Sequence, residues 1–132
     1  MKIYGVGTDI IKIQRIKKSI KKNSLKIRLF NQEEIKKCEN IKNSLNCYAK
    51  RFAAKEAFSK ALGTWISKWI NWNEILILNE KNGKPFIKLL NKTKIIVKKR
   101  IKKDKFKISL SLTDEDNYAV AFVTISLWKK IN

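Results

Sequence analysis

The stretch Arg51-Phe-Ala-Ala-Lys-Glu-Ala-Phe-Ser-Lys60, closed by Ala61-Leu62-Gly63, constrains this chain more than any other. It consists of good helix formers without proline, and Gly63 supplies a C-terminal stop. Glu56 and Lys60 stand one turn apart on one face, flanked by Ala49, Phe52 and Ala53, so that face reads as packed. Arg51, Lys55 and Ser59 fall on another face, where solvent is expected to satisfy them. Burying a carboxylate among alanines is costly unless it is paired or holds a metal. The plain alternative is a surface Glu–Lys pair contributing roughly 0.3 kcal/mol. The apolar company of Glu56 weighs against it.

A second constraint lies at the start. Ile3 to Ile11 alternates as a strand, with Tyr4, Val6, Thr8 and Ile10 on one face and Gly5, Gly7 and Asp9 on the other. Glycines inside a strand mark the close approach of a ligand or of another backbone. Asp9, ending that bare face, is a site candidate. It is equally placed to cap the helix that follows.

In that helix Ile13, Ile16 and Ile20 form an apolar stripe, while Arg15, Lys18, Lys21 and Lys22 lie on its basic sides. Such a face is solvated by default and is also suited to an acidic protein or a phosphate backbone. Asn31 with Glu34 reads as a capping box opening a helix with Ile35, Cys38 and Ile41 inward. The central helix runs from about Leu45 to Leu62. Glu74–Asn79 and Pro85–Leu90 read as strands joined through Asn82-Gly83, a hairpin signal. A helix follows over Asn91–Lys103 with Ile95, Ile96 and Ile101 as its apolar residues. Lys105–Thr113 alternates, Asp114 to Asn117 turns the chain, and Tyr118–Ser126 is apolar on both faces, as befits a central strand. The expected fold is α+β, with helices packed on a small antiparallel sheet in one domain spanning residues 1–132.

Composition narrows the chemistry. The chain has no histidine, which excludes Ser-His-Asp and Cys-His nucleophilic catalysis and histidine-ligated metals. The net charge of +20 favours acidic partners without choosing among nucleic acid, anionic lipid, phosphorylated ligands and acidic protein. Cys38 and Cys47 fit neither a metal knuckle nor a disulfide framework, which points to a reducing compartment. With no signal-peptide core and no apolar run of spanning length, a soluble cytoplasmic protein is expected. Three tryptophans at 65, 69 and 72 among basic residues suit stacked bases, or core and subunit contact.

Taken together, Gly5-Val-Gly-Thr-Asp-Ile10 with Arg15-Ile16, Arg51-Phe-Ala-Ala-Lys-Glu-Ala57 with Lys60-Ala61 and Gly63-Thr64, Asn82-Gly-Lys-Pro85, and Ser109–Glu115 with Tyr118-Ala119 form an ordered series. The series resembles the holo-[acyl-carrier-protein] synthase family, the small bacterial 4′-phosphopantetheinyl transferases, from end to end.

The resemblance implies transfer of 4′-phosphopantetheine from coenzyme A to a serine of apo acyl carrier protein, for fatty acid biosynthesis, with release of 3′,5′-ADP. It implies Mg2+ held by Asp9 and Glu56, and Lys60 on the pyrophosphate. Arg51, Gly63 and Thr64 would lie near the coenzyme A phosphates, with Asn82, Lys84 and Pro85 beside the nucleotide. Arg15, Lys18, Lys21 and Lys22 would dock the carrier protein, and a homotrimer would complete the sites. Leu112 stands where many members of the family carry histidine, and Trp65 where a glycine is common.

A basic nucleic-acid-binding module is the rival reading. It leaves Gly5, Gly7, Asp9 and Glu56 unexplained, and no nucleic-acid motif is present.

Overall fold

The computed structural model describes residues 1–63, 68–102 and 105–128. Strand β1 (Lys2–Lys12) leads into two short helices, α1 (Ile13–Lys21) and α2 (Asn23–Leu29), then α3 (Gln32–Glu39) and the long α4 (Ser44–Leu62). A 3-10 turn at Trp72–Glu74 precedes the hairpin β2 (Ile75–Asn79) and β3 (Pro85–Leu89). Helix α5 (Asn91–Ile101) and the hairpin β4 (Phe106–Glu115) and β5 (Tyr118–Leu127) complete the described chain.

The strands form two antiparallel sheets where one was expected: β1-β5-β4 with β5 in the middle, and β2-β3 apart. β5 takes the central place that its apolar character suggested, although only one of its two faces is buried. Its inward residues Ala119, Ala121, Val123 and Ile125 are buried beneath α4.

Opposite them β1 presents Gly7 against the Ala57 carbonyl and Gly5 against the Ala61 carbonyl. A Cβ at either position would sit inside the oxygen's van der Waals envelope. Glycine here is required by contact with helix backbone, one of the two alternatives open in the sequence.

Several local expectations change. Asp9 is not a helix cap: it lies within β1 opposite Ala121, and α1 begins only at Ile13. The basic segment after β1 divides into two helices at Lys22, whose backbone is extended. Ile41 is exposed because α3 stops at Glu39, and on α5 Val97 is buried while Ile95 faces out. The capping box at Asn31 is formed, with Glu33 N–H donating to the Asn31 side chain and Asn31 N–H to Glu34 Oε1.

The exposure expected for α4 is inverted. Between residues 51 and 60 only Phe52, Glu56 and Lys60 reach the surface, while Arg51, Lys55 and Ser59 are buried. The reason is tertiary: α3, β2 and the Trp72 turn cover the Lys55 side.

Lys55 Nζ donates to Glu34 Oε1 at 2.6 Å, to Leu29 O at 2.7 Å and to Trp72 O at 2.8 Å. All three ammonium protons are therefore used. Burial pulls the Lys55 ammonium down to about 8, against the opposing charge of Glu34.

The cysteine reading is also corrected. Packing of α3 against α4 brings Cys38 and Cys47 to a Cα–Cα distance of 5.4 Å, and they form a disulfide. A spacing of nine residues looks unremarkable along the chain, yet it spans the turn between two packed helices.

Candidate active site

Asp9 from β1 and Glu56 from α4 line one cavity of about 290 Å3, together with Arg15 and Ser19 of α1 and Phe52. The glycine contacts position them: with no side chains at 5 and 7, α4 settles onto β1 and Glu56 comes down beside the strand end. Lys60 reaches the same point, its ammonium donating to Asp9 Oδ1 at 3.1 Å and to Thr8 O at 3.0 Å. The i,i+4 neighbour of Glu56 is thus paired across elements.

Glu56 is half-buried, and its carboxyl is held above the usual range first by burial and then by the charge of Asp9, with Lys60 opposing. A carboxyl whose ionisation is opposed by burial and by a neighbouring carboxylate favours a cation beside it. Among the described residues no group of three or more histidines, cysteines, aspartates and glutamates is placed to hold a metal ion by itself. The donor set suits Mg2+, which takes one or two carboxylates and fills its remaining positions with waters and phosphate oxygens.

A second cavity, of about 540 Å3, opens between α3, α4 and the β2-β3 hairpin. Its cationic lining is Lys37, Lys50, Arg51 and Lys81. Arg51 is 4 % exposed, donating to Cys47 Sγ at 3.1 Å and to Asn79 Oδ1 at 3.0 Å, while its buried Nε has no partner. Asp114 enters from β4, held by Asn46 at 3.0 Å, and Leu112 forms apolar wall. The four cations outnumber the carboxylates of Glu80 and Asp114, so the lining favours an anionic ligand.

The predicted residues therefore divide between two places. Asp9, Glu56 and Lys60 come together with Arg15 at the rim. Arg51 sits in the second cavity. Of the hairpin, Gly83 lines that cavity, whereas the Asn82 side chain accepts from Lys84 N–H to shape the turn, and Pro85 pairs with Asn79. Gly63 ends α4 with a φ of 117°, its N–H bonded to Ser59 O. Thr64 lies outside the described residues. Lys18, Lys21 and Lys22 are exposed along and just beyond α1. Lys37, Lys50, Asn79 and Lys81 belong to no recognisable motif and only the fold gathers them.

A sheet-and-helix frame holding two carboxylates and a lysine beside a cationic cavity defines an enzyme class suited to phosphoryl chemistry. Residues 5–123 match the family model of the 4′-phosphopantetheinyl transferase superfamily, and the chain belongs to that family. More particularly, it is 46% identical over 125 residues to a holo-[acyl-carrier-protein] synthase of Pelagibacter ubique, covering 95% of this chain and 98% of that protein. The crystal structure of holo-[acyl-carrier-protein] synthase from Neisseria meningitidis superposes with a TM-score of 0.81 at 33% identity, covering 94% and 98% of the two chains. A Bacillus anthracis holo-(acyl-carrier-protein) synthase in complex with CoA (3′,5′-ADP) gives 0.75 at 30% identity, covering 95% and 97%.

Proposed function

We propose that this protein transfers 4′-phosphopantetheine from coenzyme A to a serine of apo acyl carrier protein, serving fatty acid biosynthesis. The serine hydroxyl gives its proton to water as its oxygen forms a bond to the β-phosphorus and the bond to the bridging oxygen breaks, and 3′,5′-ADP leaves. The observation that carries this reading is a cavity lined by Asp9 and Glu56, with Lys60 bonded to Asp9 and with Arg15 of a basic helix in its wall.

Asp9 and Glu56 would hold Mg2+, which when bound supplies positive charge to the phosphoryl oxygens. Lys60 contributes a mobile point charge to the pyrophosphate, since it is already directed at this spot from an exposed position. Arg51 and the lysines of the second cavity receive the nucleotide phosphates. Arg15, Lys18, Lys21 and Lys22 attract an acidic carrier and bring its serine to the rim. In-line positioning of the hydroxyl against a neutralised phosphate is the main catalytic requirement.

Assembly as a homotrimer is part of the same reading. The outer face of the three-stranded sheet leaves Val6, Ile10, Tyr118 and Phe122 between 44% and 64% exposed, an apolar surface that copies of the chain would cover. We place the reaction in the cytoplasm on the strength of its substrates; the Cys38–Cys47 bridge withdraws the argument from unpaired thiols. Among the described residues no helix is long and apolar enough to cross a membrane.

The test is direct. Incubation of apo carrier protein with coenzyme A, Mg2+ and this protein should add one phosphopantetheine to the carrier, read by intact mass. An unmodified carrier would remove the proposal. Tight binding of single-stranded nucleic acid in its place would favour the rival.

A further inference from the structure

Lys55 precedes Glu56 in sequence but points the opposite way, into the protein. Its ammonium is anchored by three acceptors from three segments: the end of α2, the first turn of α3 and the Trp72 turn. It also lies 5.1 Å from the centre of the Phe30 ring. Its partner Glu34 is equally committed, with Oε1 accepting from Asn31 N–H and Oε2 from Ile77 N–H of β2 at 3.1 Å. Both side chains are fully buried.

We infer that the Lys55–Glu34 pair is a positioning device for Glu56, fixing the roll of α4 so that this carboxylate faces Asp9. On the sheet side, α4 is located by the contact of the Ala57 and Ala61 carbonyls with Gly7 and Gly5. That contact sets distance but has little direction, because it is a van der Waals fit between backbones. On the far side Arg51, Tyr48 and the Cys38–Cys47 bridge tie α4 to single side chains, whereas Lys55 bonds at once to two backbone carbonyls and a buried carboxylate. Residues 55 and 56 are about 100° apart around the helix. Anchoring one therefore sets the azimuth of the other. A rotation of α4 by a fraction of a turn would carry Glu56 off the Asp9 cavity without breaking any helix hydrogen bond.

A buried ion pair is a costly way to gain stability, since apolar residues of similar volume serve as well or better. Its retention fits a role in orientation. The pair touches neither Asp9 nor the cavity, so any effect on the cation must pass through the helix.

The inference rests on the metal-holding reading of Asp9 and Glu56, and the experiment separates the two. Removing one partner alone strands a buried charge, so the variant is Glu34→Gln with Lys55→Met. Its folding is checked by thermal unfolding and circular dichroism. The readouts are direct Mn2+ affinity by electron paramagnetic resonance, and metal-free binding of 3′,5′-ADP, both well below the unfolding midpoint.

The folded double variant should bind Mn2+ at least about tenfold more weakly. Its 3′,5′-ADP affinity should stay within about twofold, because Arg51 keeps its own anchors at Cys47 and Asn79. A merely structural pair would lower the midpoint and leave Mn2+ affinity unchanged, and that result would overturn the inference. If the double variant does not fold, Lys55→Arg, which keeps the buried charge pair but changes its geometry, is read against the same two outcomes. Unchanged Mn2+ binding in both Asp9→Asn and Glu56→Gln would instead remove the metal reading on which the inference stands.

Discussion

At the scale of residues, two carboxylates carry the weight of the proposed chemistry. Asp9→Asn or Glu56→Gln should lower transfer by at least about a hundredfold, since the charge that a cation supplies is worth several kcal/mol in the transition state. Steady-state kinetics at saturating Mg2+ checks this, and activity near wild type in either variant would refute the assignment. Stability should respond in the opposite direction. The folded pKa of Glu56 lies above its unfolded value, so its contribution is fully present below the unfolded pKa and is lost as pH rises through the folded one. The metal-free protein should therefore lose stability across that window, while Glu56→Gln should not. Thermal melts with and without Mg2+ across mildly acidic to neutral pH read both effects. Added Mg2+ should raise the wild-type midpoint and leave the Glu56→Gln midpoint in place.

At the scale of elements, the contact of β1 with α4 and the face of α1 are the parts most open to test. Gly7→Ala places a methyl against the Ala57 carbonyl, and overpacking of this kind costs about 3 kcal/mol. Urea titration should show that loss together with reduced activity, and a neutral outcome would mean that helix and strand separate freely. For α1, exposed charges interact through a screening length of roughly 8 Å at physiological salt. The KM for carrier protein should rise steeply with ionic strength, and further in Arg15→Glu, while a flat salt profile would argue against electrostatic docking. The sequence showed the two glycines, the acidic pair, the hairpin and the central β5 because each is written in local periodicity or turn chemistry. It hid the burial of Lys55, because the partners that cover it, Glu34 and Trp72, are 21 and 17 residues away. It hid the second cavity for the same reason: Lys37, Lys50, Asn79 and Lys81 share no spacing and meet only through packing. The Cys38–Cys47 bridge depended on a helix crossing that no composition reveals.

At the scale of the whole molecule, the outer sheet face and the disulfide set behaviour in solution. Light scattering should report a trimer, and Phe122→Asp should shift it toward monomer with loss of activity; an active wild-type monomer would refute the assembly. Reducing the Cys38–Cys47 bridge should lower stability by about 2–3 kcal/mol on chain-entropy grounds, measured by denaturant unfolding with and without a thiol reductant. The anchoring of Lys55 has a further consequence, for how the chain reaches its native state. The cap of α3 joins Asn31 to Glu34 and is available to a few consecutive residues. The ammonium of Lys55, in contrast, is compensated only after α2, α3, α4 and the turn before β2 have all arrived. A half-assembled helical layer would bury that charge with its acceptors missing, or else stay open to water. Partly folded species are thereby penalised, and the helical layer and the β2-β3 hairpin should appear in a single kinetic step.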